Sequence, residues 1–158
     1  MKQHQAPIGK NQEWLTPPDL LSSLGVFDLD PCAPVNRPWS TAKNHFTILD
    51  DGLNQEWKGR VWCNPPFDKR ERPKWMEKVS SHGNGVMLIP AATETKAFFK
   101  YVWEKADGVL FLKGRPCFYY KDGTKAKMNC GTAICLVAYG SYNKQCLALL
   151  DSGKFLSI

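Results

Sequence analysis

The chain has 158 residues, 43% of them apolar and 23% charged, and 21 lysines and arginines against 15 acids leave a net charge of +6. That length and balance suit one soluble globular domain with a sizeable core. No apolar run approaches the roughly 20 residues that cross a bilayer, and residues 1–14 have no apolar stretch of a secretory signal, so export and membrane insertion are not expected and the cytoplasm is. The positive balance attracts phosphates and points toward nucleic acid, although surplus lysine also serves plain solubility. The six cysteines (Cys32, Cys63, Cys117, Cys130, Cys135 and Cys146) include no C-x-x-C pair and read as reduced, mostly buried thiols rather than zinc ligands or a disulfide frame.

Residues 1–12 read as a flexible lead-in, and residues 13–158 as a single domain. At Thr16-Pro17-Pro18-Asp19 a helix starts, with threonine as its N-cap, proline in the first turn and an acid at the positive end of the dipole; Gly25 ends it. Val26–Pro31 alternates apolar with acidic residues, a short strand carrying Asp30 at its carboxyl end. Residues 32–59 promise only short strands and loops. Arg60–Cys63 is a second strand that runs straight into Asn64-Pro65-Pro66-Phe67.

A helix is expected over Pro73–Ser81, with Trp75, Met76 and Val79 on its apolar stripe. Gly85–Pro90 is a continuous apolar run, the mark of a strand buried on both faces. Thr93–Lys105 follows as a helix capped by Thr93 or Thr95, with Phe98, Phe99, Val102 and Trp103 inward. Gly108–Lys113 and Thr132–Tyr139 are further strands, and Gln145–Leu150 reads as one more. Strands alternating with helices imply a mostly parallel sheet with helices on both faces. No helix separates the strand near residue 110 from that near 135, so those two run antiparallel. An α/β sheet that ends in an antiparallel pair is the outline of the Rossmann-like class I S-adenosylmethionine-dependent methyltransferase fold.

Open parallel sheets bind ligands at the carboxyl ends of their strands, where Asn64-Pro65-Pro66-Phe67 is the most informative segment. The amino group of a nucleobase is a poor nucleophile, because its lone pair is delocalised into the ring. Acceptors for both of its N–H bonds pull the nitrogen toward tetrahedral geometry. The Asn64 side-chain carbonyl and the Pro65 backbone carbonyl suit that task, with Pro66 stiffening the turn. Phe67 would stack on a flipped base: flipping costs a few kcal/mol, and a stack returns about 1–3 kcal/mol. The plain alternative is a rigid turn after a strand.

Taken together, Glu13-Trp14-Leu15-Thr16-Pro17, Phe27-Asp28-Leu29-Asp30-Pro31-Cys32-Ala33, Asp51-Gly52-Leu53 with Trp57, Asn64-Pro65-Pro66-Phe67 with Trp75, and Gly114-Arg115 with Phe118 resemble the small phage-encoded DNA N-6-adenine methyltransferases, the Dam-type family. The likeness spans most of the chain. It implies S-adenosylmethionine as cofactor and site-specific methyl transfer to adenine N6 in double-stranded DNA, in a bacterial host cytoplasm, with no membrane and no obligate protein partner. It also implies that Trp14, Thr16 and Pro17 line the cofactor's methionine end, and that the Asp-Pro segment with Pro31 and Cys32 lines the same pocket. Either Asp28 or Asp30 would receive the ammonium group, a carboxylate facing a cation; for Asp30 an Asx turn before Pro31 is the other reading. The sequence departs from the wider class at Cys32-Ala33-Pro34-Val35-Asn36, where a glycine-rich turn is usual. For the acid on the ribose, Asp51 and its neighbour Asp50 stand nearest, with a solvated turn before Gly52 as the alternative.

DNA contacts are expected from charge. Lys69, Arg70, Arg72 and Lys74 directly follow the Asn64 loop, and Arg115, Lys121, Lys125 and Lys127 with Tyr119 and Tyr120 form a second basic, aromatic stretch that reads equally as a solvated loop. Asn129 lies within the same stretch. The length leaves no room for a separate target-recognition domain. Competing readings are a methyltransferase for RNA, cytosine N4 or a protein amide, and a silent nucleic-acid binder that keeps the fold without the cofactor.

Overall fold

The computed structural model describes residues 14–158; the expected lead-in and Glu13 lie outside the described residues. Twelve segments of regular structure organise around one seven-stranded sheet. Helix α1 (Pro18–Ser23) precedes β1 (Leu29–Asp30), β2 (Asn44–His45) and β3 (Val61–Cys63), then come α2 (Arg72–His82) and β4 (Gly85–Pro90). Helix α3 (Lys96–Phe98) runs into a π-helical turn (Phe99–Trp103), followed by β5 (Gly108–Leu112), β6 (Ile134–Tyr139), α4 (Ser141–Ala148) and β7 (Gly153–Ser157).

The strand order is β2-β1-β3-β4-β6-β5-β7. The half from β2 to β4 is parallel throughout, so β1, β2 and β3 all deliver their following loops to one rim. Beyond β4 every pairing is antiparallel. The antiparallel part is therefore larger than the single expected pair: β6 is wedged between β4 and β5, and β7 adds an edge strand. Along β4 the side chains alternate between two cores. Met87 and Ile89 pack with α2 residues Trp75, Met76 and Val79, while Val86 and Leu88 pack with Leu21, Leu24, Phe118 and Leu147 on the other face.

Several local expectations need correction. Thr16 does not cap α1; Pro17 occupies the cap, and no side chain bonds there. The strand expected over Val26–Pro31 shrinks to Leu29–Asp30, with Val26 exposed. The helix expected over Thr93–Lys105 starts later, capped by the Thr95 hydroxyl, which accepts from the Phe98 N–H at 3.2 Å. It then widens, with the Glu104 N–H reaching the Phe99 carbonyl at 3.1 Å. Phe98, Tyr101 and Val102, three and four residues apart on one helical face, turn inward, and Phe99, expected inward, is exposed. Gln145–Leu150 is not a strand. Asn143 and Leu147, buried and four apart, make this segment helical as α4, and the last strand lies further on at Gly153–Ser157.

Candidate active site at the carboxyl ends of the parallel strands

Strand β3 ends in three fully buried residues, and the chain then turns out of the sheet through Asn64. Both protons of the Asn64 side-chain amide are engaged: Nδ2 donates to the Trp14 carbonyl at 3.0 Å and to the Thr16 hydroxyl at 3.1 Å. Pro65 is buried, Pro66 half-buried. Phe67, also half-buried, meets buried Phe118 edge to face with ring centroids 6.0 Å apart. Asp68 then closes the loop onto α2, its carboxylate accepting from the Arg70 N–H at 2.8 Å and the Glu71 N–H at 3.2 Å. Those backbone bonds, aided by the Arg70 and Arg72 charges, hold its carboxyl below the usual range.

The segment bearing Trp14 and Thr16 is itself stitched to the basic, aromatic stretch. Leu15 pairs with Tyr119 through two backbone hydrogen bonds, of 2.9 and 3.0 Å, and Trp14 lies 5.2 Å from the Tyr120 ring. Residues 116–130 are not a loose loop. The Ala126 N–H bonds the Phe118 carbonyl and the Cys130 N–H the Pro116 carbonyl, both at 2.9 Å, and the Tyr120 N–H bonds the Thr124 carbonyl at 2.8 Å. The result is a folded hairpin that sends Phe118 inward and leaves Arg115, Lys121, Lys125, Lys127 and Asn129 exposed. Trp39 meets Tyr119 edge to face at 5.4 Å, and Arg37, Trp39 and Lys121 line a cleft of about 660 Å³ between this hairpin and the segment after β1.

At β1 the two candidate acids part company. Asp28 aligns with Arg60 at the amino end of β3, away from Asn64. Its carboxylate accepts from the Arg60 N–H at 2.8 Å and from Lys43 at 3.1 Å, and both bonds lower its pKa. Asp30 stands at the carboxyl end and is buried. It accepts from the Cys32 N–H at 3.0 Å, which is the expected Asx turn into Pro31, and from the Thr41 hydroxyl. Burial pushes its carboxyl up to about 6 against the lowering effect of those two bonds and of the Arg37 charge. His45 braces the Thr41 end of this arrangement: its Nε2 accepts from the Thr41 and Ala42 N–H groups, each at 3.3 Å, while burial and then Arg37 lower its pKa.

The Asp51-Gly52-Leu53 turn lies directly against this end of β1. A side chain on Gly52 would come within 2.0 Å of the Pro31 carbonyl oxygen, so only glycine fits the approach. Asp50 is committed to Thr47, accepting from its N–H at 2.7 Å and its hydroxyl at 2.9 Å. Asp51, at a φ of 53°, accepts from the Asn54 side-chain amide at 2.6 Å. Of the cations after the Asn64 loop, Lys69 and Arg70 are exposed, Lys74 is paired with Glu71 at 2.9 Å, and half-buried Arg72 donates to the Phe67 carbonyl at 3.3 Å.

The structure thus brings Trp14, Thr16, Asn64, Phe67 and Phe118 together, with Asp30, Pro31, Cys32 and Asp51 on the neighbouring strand ends, and it separates Asp28 from them. Residues with no motif of their own also join the site. Thr41 holds Asp30 and His45 holds the Thr41 backbone, and their segment carries no periodic signal that marks them. Among the described residues no group of three or more histidine, cysteine or acidic side chains is arranged to hold a metal ion, and no helix is long and apolar enough to cross a membrane.

These elements define a mixed α/β protein with a polar site on the rim of its parallel half. Comparison with known families agrees: residues 3–149 match the family of DNA N-6-adenine-methyltransferases (Dam). The chain belongs to that family, which places it among the DNA adenine-N6 methyltransferases. No curated protein and no solved structure matches the chain.

Proposed function

We propose that this protein transfers the methyl group of S-adenosylmethionine to the N6 amino group of an adenine flipped out of double-stranded DNA. The convergence of Asn64-Pro65-Pro66-Phe67 with Thr16 and Phe118 on one rim carries the reading. In this account the Asn64 Oδ1 and the Pro65 carbonyl accept from the two N6 protons, so the nitrogen lone pair is freed as it attacks. Both acceptors are uncharged, which suits a reaction whose methyl donor already carries the driving force. Phe67, braced by Phe118, stacks on the adenine and offsets part of the cost of flipping.

The residues present fit the cofactor. Asp30 is a buried carboxylate with two hydrogen bonds and no direct ion pair among the described residues, Arg37 acting on it only through space, which suits a cation brought into contact. An ammonium group would supply that contact. Asp30, rather than Asp28, would hold the methionine ammonium, with Trp14, Thr16, Pro17, Pro31 and Cys32 around it, and Asp51 stands nearest for the ribose. S-adenosylmethionine, when bound, supplies an electrophilic methyl on its sulfonium. Lys69 and Arg70 on one side, and Arg115, Lys125 and Lys127 on the hairpin, would take the flanking phosphates. Target recognition then falls to these loops within a single domain. The family resemblance further implies action in a bacterial host cytoplasm, with phage DNA marked against restriction.

Thermal melting with and without S-adenosylmethionine tests the cofactor half. A ligand at 100 times its dissociation constant adds about 2.7 kcal/mol. No shift would favour a silent nucleic-acid binder.

A further inference from the structure

The amide of Asn64 has two ends, and only one can accept from an amino group. Which end faces outward is decided by its partners. The Trp14 carbonyl, 3.0 Å from Nδ2, can only accept, so a flipped amide would set Oδ1 against another acceptor. The Thr16 hydroxyl, 3.1 Å away, takes the second Nδ2 proton. Thr16 is buried and follows Leu15, whose hydrogen bonds to Tyr119 fix the segment. It stands where a threonine would ordinarily cap the following helix, yet α1 begins at Pro18 with Pro17 in the cap position and no side-chain cap. Its oxygen is spent on Asn64 instead.

We infer that Thr16 is a positioning residue: with the Trp14 carbonyl it clamps the Asn64 amide so that Oδ1 faces the adenine amino group. Deepening the methyl-transfer reading, this role differs from cofactor binding, which the family resemblance assigns to the same threonine. The hydroxyl accepts from Asn64 and keeps its own proton to donate, so one side chain serves both neighbours. A hydrogen bond that donates and accepts at one oxygen polarises both partners.

Thr16→Val, which keeps the shape and removes the hydroxyl, and Thr16→Ser, which restores it, test the clamp. Hydrogen exchange of the Asn64 side-chain amide, read by 15N NMR of the ligand-free protein, needs no catalysis. Exchange faster by about tenfold in Thr16→Val, the worth of one net hydrogen bond, and slow again in Thr16→Ser supports the clamp. Unchanged exchange overturns it. At saturating S-adenosylmethionine, kcat on duplex DNA is expected to fall about tenfold in Thr16→Val and to recover in Thr16→Ser. A raised KM for the cofactor with kcat unchanged would overturn the positioning role and leave cofactor binding alone. Should the wild-type protein methylate no DNA, the methyl-transfer reading fails, and the amide exchange still decides the clamp by the same two outcomes. If Thr16→Val does not fold, Thr16→Ala replaces it with the same amide-exchange readout: faster exchange of the Asn64 side chain supports the clamp, and unchanged exchange overturns it.

Discussion

The carboxyl end of β3 and the carboxyl end of β1 lie side by side on one rim, yet they are built on opposite principles. At β3 the run Asn64-Pro65-Pro66-Phe67 is itself neutral, and Asn64 is fully partnered on its donor side: it is tied to Trp14 and Thr16, and Phe67 is backed by Phe118. At β1 a carboxylate is buried, held by Thr41 and Cys32, with its pKa pushed up to about 6. The first arrangement is rigid before anything binds. The second is electrostatically costly until a cation arrives. On the proposed function, the acceptor base would belong to β3, where orientation decides the rate, and the charged cofactor to β1, where binding would relieve a desolvated charge.

Breaking the β3 side gives the largest expected effect. Asn64→Ala removes an acceptor aimed at the reacting nitrogen, and kcat should fall by about 10²–10³-fold in a labelled methyl-transfer assay. The half-buried position predicts an intact fold by circular dichroism. On the β1 side, Asp30→Asn should weaken S-adenosylmethionine by roughly 10- to 150-fold in calorimetry, the worth of a charge-assisted hydrogen bond. Its effect on the fold runs the other way. A carboxyl raised from 3.8 to about 6 is better protonated in the folded state, so wild-type stability falls as pH rises across that window and the penalty is full above it. Asp30→Asn should therefore stabilise the ligand-free protein at pH 7 by about 1–3 kcal/mol, and flatten the profile between those values. Equal stability of the two proteins at pH 7 would show that Asp30 is already balanced by a neighbour.

Phe67→Ala sharpens the comparison on the base side. Losing one aromatic stack should weaken binding of duplex DNA by about 5- to 150-fold, with the cofactor constant unmoved. A change in cofactor affinity would blur the division between the two strand ends. The smallest effect is expected from Lys69→Ala with Arg70→Ala, read as the slope of log affinity against log salt. Each phosphate left without its cation makes that slope shallower by about one. An unchanged slope would move the DNA path to the hairpin of Arg115, Lys125 and Lys127.

The β3 half of the site is legible in the sequence because its chemistry is contiguous: an apolar strand, then Asn64-Pro65-Pro66-Phe67 in one run. The buried run Gly85–Pro90 and the antiparallel pairing of β5 with β6 are legible for the same local reasons. The β1 half is legible only to the choice between Asp28 and Asp30, because the groups that set their different surroundings are remote. Arg60 and Lys43 claim Asp28, while Thr41, eleven residues away, claims Asp30. Thr16 reads as a helix cap, but its hydroxyl answers to Asn64, 48 residues on, rather than to the nearest backbone N–H groups. Short apolar stretches such as Gln145–Leu150 suit strand and helix alike, and the burial of Asn143 and Leu147 chooses the helix. Phe99 reads as inward beside Phe98, but the face formed by Phe98, Tyr101 and Val102 leaves it exposed.

Nucleoside analysis of unmethylated double-stranded DNA incubated with the protein and methyl-labelled S-adenosylmethionine tests the central claim most directly. The account predicts label in N6-methyladenine with wild-type protein, and almost none with a folded Asn64→Ala. Label in cytosine, or no label in DNA from a protein that binds the cofactor, would contradict it.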